Sequence, residues 1–185
     1  MSKEVLRARW GVILLFWING VAWSSILPRF PEIKTALEAS NTAFGLAVGL
    51  GPVGGLVAGL FTARLVRRYS SASVAAVTQL VGIAGLNLVA SAPTLVVFSA
   101  SLAFMAAMDA LTDISMNAHG LRVQRLFGRT ILNSFHGWWS IGAVCGGFLG
   151  SVAAQVGMDL WLQAAVATVL FGSLSLFART LLLPG

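Results

Sequence analysis

Apolar positions in this chain come in long runs, broken only by short turn and charge signals. Six runs stand out, at roughly 10–28, 42–63, 74–91, 94–119, 131–155 and 160–178. Each approaches the ~20 apolar residues that a helix needs to cross the hydrocarbon layer. "SAP" at 91–93 parts the third run from the fourth, because proline cannot continue the helical ladder, and "VGMD" at 156–159 parts the fifth from the sixth. The pattern predicts an all-α integral membrane protein: a single six-helix transmembrane bundle over residues 1–185, arranged as a three-plus-three repeat. An even number of spans puts both termini on one side.

Composition agrees. The chain of 185 residues is 57% hydrophobic and 10% charged, with a mean hydropathy of +0.87, whereas a soluble domain carries about 25% charged residues. The net charge of +6 does not point to nucleic acid, because the basic residues fall in clusters between apolar runs. Lys3, Arg7, Arg9, Arg64, Arg67, Arg68, Arg122, Arg125, Arg129 and Arg179 share one side of the membrane, and only Arg29 and Lys34 the other. The positive-inside rule therefore predicts cytoplasmic termini. The charged start and apolar core of "MSKEVLRARWGVILLFWING" look like a signal peptide, but no small-residue cleavage site follows, so it is read as a retained first span. Cys145, the only cysteine, lies among glycines and is read as a packing residue.

Polarity is uneven among the spans. The first holds Asn19, Trp23, Ser24 and Ser25; the fourth holds Asp109 and Asp113, one helical turn apart, with Asn117 a turn further on. Asp109 lies ~24 Å of helix from Pro93 and Asp113 ~14 Å from Arg122, so both carboxylates fall within a ~30 Å hydrocarbon layer. A charged aspartate facing lipid there costs a few kcal/mol, so such groups face a cavity or carry a proton. The first and fourth spans are therefore expected to line a cavity, with the third and sixth, which carry only neutral groups such as Gln79 and Gln163, packed outside. His136 of the fifth span comes to the depth of Asp113, and the two could share protons. The alternatives are a packing role for His136 and a capping role for Asp109. Trp17, Trp23, Trp138 and Trp139 stand at cavity-compatible positions, of which Trp23 and Trp139 are the favoured substrate contacts; Trp10 and Trp161 suit the interfacial belt.

Glycines recur every four residues in the second span (Gly51, Gly55, Gly59) and in the fifth (Gly142, Gly146, Gly150). Such faces let helix backbones approach closely in lipid. They serve either contacts within the bundle or a seam with another six-helix body; the expectation carried forward is the seam, centred on Gly51, Gly55, Gly142 and Gly146. Gly51-Pro52 should also bend the second span.

"GLFTARLVRR" at 59–68 resembles the loop signature of the major facilitator superfamily: Gly59, Arg64, Arg67 and Arg68 match, while Ala63 replaces the family's Asp and Val66 a Gly. "ILPRFPEIKTAL", "MDALTDISMNAHG" and "LNSFHGWWSIGAVCGGFLG" resemble the amino-terminal half of bacterial fucose-permease-like sugar–proton symporters. The resemblance covers essentially the whole chain but half of that family's usual twelve-helix protein. It implies that Asp113 and Asn117 match a carboxylate–Asn pair of the fourth span, that His136 matches a polar residue of the fifth, and that the setting is a bacterial cytoplasmic (inner) membrane. About Ser25, where those symporters carry an acid, the match fails.

The resulting expectation is a secondary active transporter module moving a small polar, sugar-like solute with protons. Asp113, Asp109 and His136 would couple protons, and Asn19, Trp23, Asn117 and Trp139 would bind substrate. A second six-helix body would complete it, either another copy or a carboxy-terminal half; the ending "LLLPG" fits a natural half-size protein or a truncated half equally. The alternatives are a non-transporting membrane scaffold and an efflux half-transporter for amphiphilic compounds. No GxSG, no HExxH and no phosphate-binding loop occurs, and the two aspartates share one helix, so an enzyme, a cofactor or a metal site is not expected.

Overall fold

The computed structural model describes residues 2–184 and is helical throughout its elements. The helices are α1 (Lys3–Ser25), α2 (Phe30–Ala36), α3 (Asn41–Gly49), α4 (Gly51–Tyr69), α5 (Ser71–Ala90), α6 (Leu95–Phe127), α7 (Leu132–Gln155) and α8 (Leu160–Leu181), with one 3-10 turn at Leu27–Arg29. Six of the continuous helical stretches are long and apolar enough to cross a membrane: α1 with α2, α3 with α4, and each of α5 to α8. By length and hydropathy this is a multi-pass membrane protein.

The helix ends follow local chemistry. Side chains of Ser2, Ser40, Ser70 and Thr94 accept hydrogen bonds from the exposed first-turn N–H groups of α1, α3, α5 and α6. Gly128, at φ 74°, closes α6 in the left-handed conformation that glycine adopts without a steric cost. Ser70 alone joins α4 to α5, at φ 73°, an uncommon angle for a residue with a Cβ. The second span does break at Leu50, just before Gly51-Pro52, as the proline suggests. The helices overrun the apolar stretches seen in the sequence: α1 begins at Lys3 and α6 continues to Phe127. The excess turns carry basic side chains, which hydropathy does not count as helix.

Packing repeats between the two halves of the bundle. The first span crosses the fifth (α1 on α7), and the fourth crosses the second (α6 on α4); likewise α6 packs on α5, and α1 on α8. A three-plus-three repeat generates this pairing.

Two expectations need correction. The glycine faces do not form an outward seam. A Cβ at Gly142, Gly146 or Gly150 would strike the carbonyls of Trp17, Val21 and Ser25 of α1, and Gly51 and Gly55 lie on Leu102 and Ala106 of α6. These glycines are consumed inside the bundle, because removing Cβ is what lets α7 meet α1 and α4 meet α6. The third span, expected outside, instead reaches inward: it packs on both α6 and α8, and Ala75, Gln79, Ile83 and Leu86 are buried. The Thr78 hydroxyl and the Gln79 amide nitrogen find partners there.

Two apolar clusters fill the interior. One gathers Phe16, Ala75, Met116, Val123 and Phe135 toward the end that holds both described termini. The other gathers Ile18, Ile83, Leu86, Phe98, Met105 and Phe171 toward the opposite end. Between Ala75 and Ile83 of α5, and between Met105 and Met116 of α6, lie Thr78, Gln79, Asp109 and Thr112. A polar layer thus separates two apolar ones.

Candidate functional site in the polar layer

Three spans are stitched together by side chains at this level. Trp139 donates its indole N–H to Asn19 Oδ1 at 2.8 Å, and Asn19 Nδ2 donates to Asp109 Oδ1 at 2.8 Å. The tryptophan fixes which way the amide points: with Oδ1 engaged by an indole donor, the NH2 end must face the carboxylate. Each member is half-buried. A charge-assisted bond of this kind compensates for part of the desolvation of Asp109.

Asn19, Trp23 and Asp109 border a cavity of about 30 Å³ together with Thr78, Gln79 and Thr112, room for a water or two. The first, third and fourth spans supply its walls. Thus the structure brings Asn19, Trp23 and Asp109 together. Asp113 stands apart, exposed one turn along α6, where Asn117 Nδ2 donates to its Oδ1 at 3.0 Å and to its backbone carbonyl at 2.9 Å. Asn117 is first of all a local partner of Asp113.

His136 is exposed and sets its ring edge-on against Phe16, centroids 5.1 Å apart. No hydrogen bond or ion pair joins it to Asp113 among the described residues. Trp17 packs edge-on against Phe171 at 6.3 Å. Trp10 and Trp161 are exposed, as interfacial residues are. Arg64, Arg67 and Arg68 are exposed at the end of α4; Arg68 covers the ring of Tyr69, and Gly59 faces Ile114 with room for a Cβ.

Four buried side chains had no assigned role in the sequence. Arg29, only 2% exposed, donates to Glu32 (2.6 Å), Gln163 (2.7 Å) and the carbonyl of Met158 (2.9 Å), while Gln163 donates to the carbonyl of Ser25 (2.8 Å). This knot ties the end of the first span to the sixth. At the other end His119 is fully buried: its Nε2 accepts from the N–H of Leu183 (3.3 Å), so its Nδ1 carries the proton shared with Ser71 (3.1 Å). Gln79 donates to the carbonyl of Leu15 at 3.2 Å. For His119, a histidine closing an apolar run one residue before glycine was the available signal; for Arg29 there was none, since topology counting treats it as a surface charge.

No family model matches the chain, and no solved structure matches it. Two curated proteins do. An uncharacterized transporter of Sinorhizobium fredii is 29% identical over 175 residues, covering 93% of this chain and 46% of the relative. The chain is a relative of transporters. An uncharacterized MFS-type transporter of Yersinia pestis is 28% identical over 173 residues, 89% of this chain and 43% of that protein. The chain spans less than half the length of either relative. The similarity points to a non-enzymatic membrane protein.

Proposed function

We propose that this chain is one six-helix half of a major-facilitator-type secondary transporter for a small polar, sugar-like solute, coupled to protons. The observation that carries the reading is the placement of two carboxylates, Asp109 and Asp113, with amide and indole partners in the middle of six apolar spans. A scaffold needs no such groups, and a few kcal/mol each would select against them. The transporter relatives, matched along nearly the whole chain, support the same reading.

In this reading Asp113, exposed on the open face with Asn117 and His136 beside it, takes up and releases the proton as access alternates. Asn19, Trp23 and Trp139 contact the solute, the indoles stacking on apolar sugar faces. Both termini lie in the cytoplasm of a bacterial inner membrane, where Arg64, Arg67 and Arg68 anchor the loop after the second span. The second and fifth spans are the least buried, with 11% and 22% of their apolar windows covered, against 33% or more for the others. The second six-helix body, another copy or a carboxy-terminal half, covers them. Because Gly51, Gly55, Gly142 and Gly146 are already occupied, that contact uses the outward faces, Leu46, Val53, Leu56 and Leu60 on one span and Val144, Phe148 and Val152 on the other.

Uptake into vesicles with an imposed proton gradient tests the proposal, with the chain in its complete assembly. Asp113→Asn is expected to retain solute exchange and lose accumulation against a gradient by at least tenfold. Undiminished accumulation in that variant would overturn the assignment.

A further inference from the structure

The cavity between α1, α5 and α6 is lined by oxygens that the protein leaves free. Gln79 is 3% exposed, and its Nε2 is spent on the carbonyl of Leu15, which turns Oε1 the other way; that oxygen has no hydrogen-bond partner. Thr78 and Thr112 lie 2.8 Å apart through their hydroxyls, and each also reaches the carbonyl four residues earlier, Val74 at 2.7 Å and Met108 at 2.8 Å. Two hydroxyl protons serve three contacts, all within the protein, so none is left for the cavity. Asp109 uses Oδ1 for Asn19, and its second oxygen takes no hydrogen bond from the described residues. Asn19 turns its amide nitrogen onto Asp109 and its oxygen onto the indole of Trp139, so neither the side-chain oxygen of Gln79 nor the second oxygen of Asp109 is met by it.

Free oxygens with one negative charge among them, and no lysine or arginine among the lining residues, suit a positive occupant. An orphaned buried carbonyl is costly until something satisfies it. The donor set is all oxygen, and no group of three His, Cys, Asp or Glu side chains occurs among the described residues. That chemistry excludes soft and transition metals and suits a hard cation, while a single carboxylate matches one charge better than two. The size of the cavity, about 30 Å³, favours a small ion.

We propose that this cavity binds a small monovalent cation of sodium size, with Asp109 as the charged ligand and Gln79, Thr78 and Thr112 as neutral oxygen ligands. The site belongs to this chain alone and is separate from the proton step assigned to Asp113. An ion here would bridge the first, third and fourth spans at the level where the two apolar clusters part. It would also hold Asp109 ionised, and through Asn19 would steady the indole of Trp139.

Thermal unfolding of the full purified chain, without solute, tests this in sodium, potassium or choline chloride at equal ionic strength. Sodium is expected to raise the midpoint saturably by ~2–4 °C, as a ligand that binds the native state must. Asp109→Asn should abolish the rise, and Gln79→Met should weaken the apparent sodium affinity by about tenfold. If Gln79→Met does not fold, Thr112→Val reads the same loss. An equal response to choline, no response to sodium (a water alone in the cavity), or a sodium response that survives Asp109→Asn would each overturn the proposal. Because no transport is measured, its failure and that of the transporter reading are separable.

Discussion

The crossing of the first and fifth spans and the crossing of the fourth and second are the same device used twice, with different consequences. At the first, Gly142, Gly146 and Gly150 lay α7 against the carbonyls of α1 over three successive turns, and Gly20 answers from α1 against Trp139. At the second, Gly54 alone meets a carbonyl that tightly, that of Ala103, while a Cβ at Gly55 would stand 3.1 Å from the carbonyl of Ala106, close but not a clash. The first crossing carries a polar bridge, Trp139 to Asn19 to Asp109; the second carries only Ser99 donating to the carbonyl of Ala47 at 2.9 Å. Carbonyl-tight contact along the whole seam therefore holds functional groups in register, whereas the looser α4–α6 contact secures a span whose other face is left bare. The break at Leu50 lies within the bare one.

The largest effect should come from closing the tight seam. Gly146→Leu is expected to cost about 3 kcal/mol or to prevent folding, since the carbonyl of Val21 cannot yield as a side chain would. Its neighbour Gly147 has nothing within 4 Å, and Gly147→Leu should stay within about 0.5 kcal/mol of the parent in the same unfolding measurement. Equal losses at both positions would remove the distinction between inner and outer faces of α7.

A smaller effect follows from the polar bridge. Asn19→Leu leaves the indole N–H of Trp139 and a carboxylate oxygen of Asp109 unpaired, and should cost about 2 kcal/mol. Trp139→Phe removes one donor and keeps the ring, so about 1 kcal/mol is expected, with the Asn19 amide free to turn. Ser99→Ala, at the sparser crossing, should change stability least, by about 0.5 kcal/mol. If Ser99→Ala matched Asn19→Leu, the contrast between the crossings would fail.

The sequence made the six helices legible because lipid demands continuous apolar runs, and it made Asp109, Asp113 and Asn19 conspicuous because such groups are expensive there. It did not show whom the glycines face. A four-residue glycine repeat is identical whether the partner is α1 or another molecule, so Gly142 and Gly146 were placed on an outer seam although they are buried. Nor did it show the inward reach of the third span. Gln79 and Thr78 carry no charge, so nothing in their composition separates a buried glutamine that holds a backbone carbonyl from one at a helix surface. Arg29 failed for the opposite reason: its charge counted toward topology, while its guanidinium is buried in a knot of four groups.

The bridge between Asn19 and Trp139 also sets a clock. Its two ends are 120 positions apart in the chain. At a synthesis rate of 5–20 residues per second, the first span waits roughly 6–24 s before its fifth-span partner exists. Asp109 emerges earlier, 90 positions after Asn19, so the carboxylate is the first group that can relieve the stranded amide. Assembly of this bundle is then ordered by the ribosome: the first and fourth spans meet, and the fifth locks over them. Insertion machinery that released the first span promptly into lipid would leave a bare amide there for most of that interval. Nascent chains arrested before Asp109 has left the ribosome should accordingly still crosslink through the first span to the translocon, and chains from which it has emerged should not.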